Sequence, residues 1–267
     1  MIQHKYMIFK NKISQKVFLP VMVIVGLMLL WEIMVISQNI PAYILPKPSF
    51  IIETLIIDWP ILYPSMINTI KITLGGFIIA TFGGVAIAIL FSLSKTIENA
   101  LFPIAVIIQV TPIIAISPLI LIYANSTETA LLICAWLVAF FPVLSNTIFG
   151  LTSVETNLVE LFKLQNANKI QTLYYLRLPY ALPNILSGIR IAGGLSLIGA
   201  IVAEFTAGSA GVGSGLAFRI LEAGYRLNIP RMFAALFLIA IIGITIYLII
   251  TYITYRLLRK WHSSYQN

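Results

Sequence analysis

Few residues of this chain have side chains suited to covalent or metal-assisted chemistry. Cys134 is the only cysteine and Asp58 the only aspartate, while His4 and His262 lie near opposite ends of the sequence. A lone cysteine forms no intrachain disulfide and no cysteine-based metal cluster. A lone aspartate excludes the Asp-rich motifs that hold Mg²⁺ on a diphosphate. We therefore predict a protein that is not an enzyme, with no metal site and no cofactor bound by this chain.

ATP hydrolysis by the most widespread route is excluded as well. The sequence contains no GxxxxGK[ST] loop, the motif whose backbone amides and lysine hold the phosphates of a nucleotide. We therefore predict that the chain by itself has no ATPase activity.

The remaining chemical candidates are polar residues inside apolar segments. Glu204 lies deep in one such segment, and an acidic residue within a membrane is by default a functional hypothesis. A polar stripe around a proline kink comprises Gln109, Thr111, Pro112 and Ser117. Because a proline frees a carbonyl that lipid does not satisfy, we predict that these five residues line a translocation path. For Glu204 an alternative stays open, in which it is wetted at the outer helix end or paired with Arg219.

Composition places these residues in a membrane protein. The chain of 267 residues is 60% hydrophobic and only 10% charged, with a mean hydropathy of +0.98. Soluble domains are about 45–50% apolar and about 25% charged. The net charge of +8 is better explained by basic cytoplasmic loops than by nucleic-acid binding.

Six apolar stretches are each long enough to cross a hydrocarbon layer about 30 Å thick. They cover approximately residues 17–36, 69–93, 101–123, 130–151, 185–207 and 232–257. The sequence thus predicts an all-α, polytopic membrane protein with six transmembrane helices. Residues 1–16 form a basic cytoplasmic N-terminus and residues 17–267 the transmembrane domain. Most lysines and arginines fall on the side of the N-terminus, which predicts that both termini are cytoplasmic.

Three connecting regions are long. Residues 37–68 are rich in proline and are predicted to form an outer loop, and residues 152–183 form an inner loop. Residues 208–231 are first glycine-rich and then amphipathic, which favours a short helix around Leu216, Ile220 and Leu221. Two glycine pairs in the second apolar stretch, at 75–76 and 83–84, predict close helix packing.

The inner loop has a helical pattern of its own. Its apolar residues Val154, Leu158, Leu161 and Phe162 follow the spacing of one helix face. A polar stretch at 165–168 separates them from a second apolar piece that is bounded by Pro179 and Pro183. The pattern predicts a helix, a turn and a second helix, which either lie on the bilayer or dock into another protein.

This loop resembles the signature loop of binding-protein-dependent ABC transporter permeases, whose pattern is Glu-Ala-Ala, three residues, Gly, and a Leu-Pro about twelve residues later. Glu160 matches the Glu, Leu161 and Phe162 replace the two alanines, and Asn166 replaces the Gly. Ala167, Leu178 and Pro179 fall in register. Because Asn tolerates positive φ better than most residues, Asn166 is predicted to keep the turn. The resemblance extends over nearly the whole chain from residue 45, and it includes residues 180–192 and 201–204.

Within that superfamily the chain looks most like permeases of the nitrate, sulfonate and taurine group, whose relatives import the pyrimidine precursor of thiamine or riboflavin. The resemblance implies an ABC importer permease fold in the inner (plasma) membrane, working by alternating access. It implies a second copy of the chain, two ATPase subunits that use ATP and Mg²⁺, and a periplasmic or lipid-tethered solute-binding protein. It also implies that the matched residues between Glu160 and Pro179 form the loop that couples the chain to the ATPase.

One alternative function is a stand-alone secondary transporter or channel. Secondary transporters often carry repeated halves and more charge within the membrane, and neither feature is evident here. The solute itself is not named by the sequence. The scarcity of basic residues in the spans favours a neutral or heteroaromatic solute, such as a vitamin precursor, over a sulfonate or nitrate anion.

Overall fold

The computed structural model describes residues 2–208 and 214–259, with side chains from residue 18 onward. All regular structure in these ranges is helical, which confirms the all-α prediction. The helices are α1 (Ile2–Ser37), α2 (Pro48–Ile57), α3 (Trp59–Leu93), α4 (Lys95–Val110), α5 (Ile113–Tyr123), α6 (Thr127–Thr152), α7 (Thr156–Leu164), α8 (Lys169–Thr172), a π-helical turn (Leu173–Arg177), α9 (Leu178–Ala207), α10 (Leu216–Tyr225) and α11 (Ile229–Leu258).

Five helical segments in the described ranges are long and apolar enough to cross a membrane, and a sixth crossing requires α4 and α5 together. The chain bends by 102° between these two helices, whereas the sequence predicts one kinked span over residues 101–123. The break follows from Pro112, which has no backbone N–H and disfavours helical geometry in the residue before it. Thr111 is accordingly extended, with φ −74° and ψ 123°.

Other prolines do not interrupt helices where the sequence predicted that they would. The predicted outer loop at 37–68 is largely helical, because Pro48 and Pro60 occupy first turns, where a missing N–H leaves no bond unmade. Likewise Pro179 and Pro183 do not bound the second piece of the inner loop. The chain runs from α8 through the π-helical turn into α9 as one helical segment, Lys169–Ala207.

Helices α3, α6 and α9 form the centre of the bundle, and small residues let their backbones approach closely. A Cβ placed on Gly188 of α9 would lie 2.8 Å from the Pro142 carbonyl oxygen, and one on Gly76 of α3 would lie 2.9 Å from the Trp136 backbone nitrogen. The surrounding core contains fully buried alanines, among them Ala80, Ala139 and Ala192. The predicted close-packing role of the glycine pairs is thus confirmed at Gly76 and Gly84.

The end of the bundle that contains α10 is held together by polar contacts. Helix α10 forms where the sequence predicted a short helix, although residues 209–213 of the preceding glycine-rich stretch lie outside the described residues. Arg231 near the start of α11 binds Asp58 through two of its guanidinium nitrogens: Nε donates to Oδ2 at 2.6 Å and a terminal nitrogen donates to Oδ1 at 2.9 Å. This largely buried pair ties the α2–α3 corner to α11.

Candidate translocation path and coupling loop

A cleft opens at the break between α4 and α5. It encloses about 280 Å³, and three of the predicted path residues, Gln109, Thr111 and Pro112, line it. The other walls are apolar side chains of α4, α5, α6 and α9, among them Leu137, Val138 and Leu195. None of the lining residues is ionisable, so the cleft offers an amide, a hydroxyl and backbone groups within an apolar surface.

Backbone hydrogen bonds on each side of the break end α4 and start α5, and the cleft lies between them. Both the amide and the hydroxyl of Thr111 donate to the Ile107 carbonyl, at 3.2 and 2.7 Å, which closes the last turn of α4. Helix α5 restarts from the Pro112 carbonyl, which accepts from the Ala115 amide at 2.9 Å. Non-helical backbone at membrane depth is tolerated where it is buried in protein or lines a cavity. The path role of these residues remains a prediction.

Ser117 does not line this cleft. It is fully buried, and its hydroxyl lies 2.8 Å from the Thr206 hydroxyl, which joins α5 to α9. In this conformation Ser117 is a contact between helices.

Glu204 also lies away from the cleft, in a buried cluster of hydrogen bonds with Thr69, Leu216 and Ala217 that we call the Glu204 clasp. It is only 3% exposed; one carboxylate oxygen accepts from the Thr69 hydroxyl at 2.8 Å and the other from the Ala217 amide at 3.0 Å. Thr69 in turn accepts from the Leu216 amide at 2.9 Å. Glu204 and Thr69 therefore cap the first turn of α10, whose N-cap residue, Gly215, has no side chain to do so.

The alternative pairing of Glu204 with Arg219 is wrong. Arg219 donates to Ser65, Ser214 and Glu222, at 2.9, 3.0 and 2.8 Å respectively. In this conformation the carboxylate of Glu204 supports the start of α10 through Thr69 and Ala217, and its role in the translocation path remains a prediction.

The predicted coupling loop forms α7, a turn and α8. None of the residues of α7 is buried; Glu160 is exposed, and Leu161 is half exposed. Asn166 has φ +54°, as predicted from its replacement of Gly. The backbone amide of Asn166 donates to the Lys163 carbonyl at 2.9 Å, and that of Ala167 donates to the Phe162 carbonyl at 3.0 Å. These two bonds close the end of α7.

Part of the predicted coupling set comes together in one groove. Leu161, Phe162 and Ala167 line an open cavity of about 330 Å³ with Gln165, Gln171 and Tyr175. Gln171 and Tyr175 were missed, although their spacing of four residues would place them on one helix face. Leu178 instead packs against the bundle core. Pro179 lines a separate cavity of about 610 Å³, together with Tyr180, Asn184 and Leu258.

Accessibility to a thiol reagent tests the path prediction. In a Cys134→Ala background, Gln109→Cys and Thr111→Cys are expected to react with a small, charged, membrane-impermeant thiol reagent, because both positions line the cleft. Ser117→Cys is the matched control on the same broken span, and its burial is expected to protect it. Equal protection at all three positions, in every nucleotide state of the transporter, would contradict the path assignment.

Comparisons with known proteins agree with this architecture. The family model described as binding-protein-dependent transport system inner membrane component matches residues 76–262. The riboflavin transport system permease protein RibX of Chloroflexus aurantiacus is 30% identical over 240 residues, 89% of this chain and 88% of the relative. The formylaminopyrimidine transport permease protein ThiX of Halalkalibacterium halodurans is 29% identical over 234 residues, 87% of this chain and 92% of the relative.

Two further comparisons are with a taurine permease and with a solved transporter structure. The taurine transport system permease protein TauC of Escherichia coli is 28% identical over 262 residues, 95% of this chain and 93% of the relative. One chain of the MetNI methionine ABC transporter, solved in inward-facing conformations, has the same fold, with a TM-score of 0.55 and 18% identity. The match covers 79% of this chain and 97% of that chain.

The long apolar helices of the described ranges define a multi-pass membrane protein. The matched family and relatives are transport permeases rather than enzymes, which makes this chain a transport component of the inner membrane. The chain belongs to the family of binding-protein-dependent transport system inner membrane components, as the resemblance predicted. It is a permease subunit of an ABC importer for small solutes, and membership implies ATPase and solute-binding partners.

Proposed function

We propose that two copies of this chain form the pore of an importer that works by alternating access. Two ATPase subunits dock at the groove of α7 and α8 on the cytoplasmic side, where both termini also lie. A periplasmic or lipid-tethered binding protein delivers solute at the opposite end. ATP-driven closure of the ATPase pair moves the two α7–α8 loops together and switches the pore between its two openings.

The observation that carries this proposal is an apolar groove without a partner in the described chain. Leu161 and Phe162 lie on a helix that contributes no residue to the core. A helix that rests on anionic lipid is rich in Lys and Arg on its polar face. Here Lys163 and Lys169 are offset by Glu155 and Glu160, so lipid attraction is weak. A protein partner that covers the apolar face is favoured instead.

The helical path from the groove supports coupling to the rest of the bundle. Helix α8 is started by Asn168, whose side chain accepts from the Gln171 amide at 2.8 Å in a complete capping box. From there the segment Lys169–Ala207 is continuous and ends beside Glu204. We infer that movement of the α7–α8 loop passes along this helical segment to the clasp at the far end of the bundle.

For the solute we propose a neutral or heteroaromatic molecule rather than a sulfonate or nitrate anion. The support is the cleft at Gln109, which has no basic side chain among its lining residues. A buried anion requires a positive partner or several donors. Thermal-shift screening of the cognate binding protein is expected to find stabilisation by a flavin or an aminopyrimidine. Stabilisation by taurine or nitrate alone would contradict this preference.

The docking proposal is tested by Phe162→Ala in the assembled complex. Burial of this side chain in an ATPase cleft contributes about 1.5–3 kcal/mol before association costs. We expect the variant to recover at least about tenfold less ATPase on purification, or to lose solute uptake while hydrolysis continues. Glu160→Ala is expected to act in the same direction, because Glu160 matches the Glu of the signature loop.

Leu164→Ala is the matched control. It removes an exposed apolar side chain from the same helix, but Leu164 does not line the groove. Membrane insertion of all three variants is checked by the amount of protein in the membrane fraction. If Phe162→Ala and Glu160→Ala assemble and transport like Leu164→Ala, the loop is a surface helix and the docking site lies elsewhere.

A further inference from the structure

The end of α11 presents two arginines on one exposed face. The guanidinium of Arg256 lies 5.6 Å from the centre of the Tyr252 ring, and that of Arg259 lies 6.0 Å from the centre of the Tyr255 ring. In each pair the arginine follows the tyrosine by four residues, so the two side chains are neighbours on the helix surface. Contact with an aromatic ring holds a guanidinium in position without neutralising its charge.

Neither arginine has an acidic partner in the described ranges. The chain contains nine acidic residues, and the side chains of all nine are described. Every ion pair that they form there uses another cation, namely Lys95, Arg219, Arg226 or Arg231. Because Arg256 and Arg259 are three residues apart, they are close on the helix surface, and one anion can contact both.

This face lies at the end of the bundle that carries the coupling loop. Leu258, the residue before Arg259, is buried and lines a cavity together with Pro179 and Tyr180 from the first turn of α9. Helix α11 has 30 residues and is therefore about 45 Å long, whereas the hydrocarbon layer is about 30 Å thick. Its last turns thus reach the level of the lipid headgroups.

The same helix face is apolar on the membrane side of the tyrosines. Leu248, Tyr252, Tyr255 and Arg259 follow the spacing of one helix face, and Leu248 is 58% exposed. Ile249, beside it, is 54% exposed. Tyrosine is enriched where hydrocarbon meets water, which agrees with its position between apolar residues and arginines. A ligand that covers the whole face is therefore apolar along its length and anionic at its end.

We propose that Arg256 and Arg259 bind the phosphate of an anionic phospholipid, whose acyl chains lie along Leu248 and Ile249. The proposal goes beyond the proposed function, from which it takes only the assignment of this end to the inner leaflet. A guanidinium donates two parallel hydrogen bonds to a phosphate, and anionic lipids of the cytoplasmic leaflet attract basic residues beside a span. A free phosphate ion would contact the arginines alone and leave the apolar part of the face uncovered.

The test titrates the purified full-length chain in detergent with phosphatidylglycerol or phosphatidylcholine, and native mass spectrometry counts the bound lipids. The parent is expected to bind phosphatidylglycerol more tightly, because the ammonium group of phosphatidylcholine offsets its phosphate. Arg256→Gln and Arg259→Gln are each expected to weaken phosphatidylglycerol binding about fivefold, and the double variant about thirtyfold. Binding of phosphatidylcholine should not change.

Two controls separate charge from folding. Arg256→Lys keeps the positive charge and is expected to retain most of the affinity. Arg226→Gln removes an exposed arginine beyond the other end of α11, where Glu222 already neutralises it at 3.0 Å, and it should bind lipid like the parent. Thermal unfolding without added lipid checks that the variants are folded, and the two single variants decide if the double variant is not recovered.

Three results would overturn the proposal. The first is equal affinity of the parent for the two lipids, or affinity for phosphatidylglycerol in the glutamine variants equal to that of Arg226→Gln. The second is displacement of phosphatidylglycerol by excess inorganic phosphate, which would identify a free anion as the ligand. The third is a changed ratio of monomer to dimer with unchanged lipid affinity, which would identify a second copy as the occupant. The measurement needs neither ATPase nor solute, so its failure is distinct from failure of the proposed function.

Discussion

Glu204→Ala is expected to release the first turn of α10 and to abolish solute uptake, while the chain still inserts into the membrane. The substitution leaves the Thr69 hydroxyl and the Ala217 amide without their acceptor in a buried site. Each unsatisfied buried group costs about 1–3 kcal/mol. The measurements are thermal unfolding of the detergent-solubilised complex and solute uptake into proteoliposomes.

Three further variants separate the clasp from a role in contacting solute. Glu204→Gln keeps one carbonyl acceptor and is expected to lie between the parent and Glu204→Ala. Thr69→Val removes the hydroxyl with little change in shape, and its effect should be less than additive with that of Glu204→Ala. Glu53→Ala, at an exposed glutamate of α2, is the neutral control. Uptake lost from a complex with unchanged stability, with Thr69→Val fully active, would return Glu204 to the translocation path.

Periodicity and composition were sufficient to predict most of the helices, because lipid requires backbone hydrogen bonds to be satisfied within each span. The turn at Asn166 was predictable for a local reason, the tolerance of Asn for positive φ. A kink at Pro112 was predicted, but the local sequence did not show that it would be a break of 102°. Pro64, Pro142 and Pro183 all lie inside continuous helices, and whether a proline breaks a span depends on neighbouring groups that the local sequence does not show.

The residues of the candidate site likewise differ in how far the sequence predicted their contacts. Gln109, Thr111 and Pro112 are neighbours in sequence, so their common cleft followed from one local feature. Thr69 and Glu204 are 135 residues apart, and nothing near Thr69 marks it as the partner of a distant carboxylate. The coupling groove was predicted in part. The apolar stripe of α7 was visible in the sequence, whereas the contribution of Tyr175 depends on the angle between α7 and the helical segment that begins with α8.

Gly76→Ala is expected to destabilise the chain by about 1–3 kcal/mol, the usual range for overpacking, and to lower its yield in membranes. The added Cβ would lie 2.9 Å from the Trp136 backbone nitrogen and 3.0 Å from the Ala135 carbonyl carbon. Backbone atoms of α6 have no rotamer by which to move away, so α3 and α6 must separate. Thermal unfolding of the purified chain measures the effect.

Gly83→Ala is the matched control on the same helix. Its Cβ would meet only the Trp136 indole nitrogen, at 4.0 Å, which is an ordinary contact. Alanine favours a helix over glycine by about 1 kcal/mol, so this variant should be neutral or slightly more stable. The difference between the two variants isolates the steric term, because the gain in helix propensity is common to both. Equal stability of Gly76→Ala and Gly83→Ala would mean that α3 and α6 do not pack through Gly76, and the close approach at the centre of the bundle would have to be abandoned.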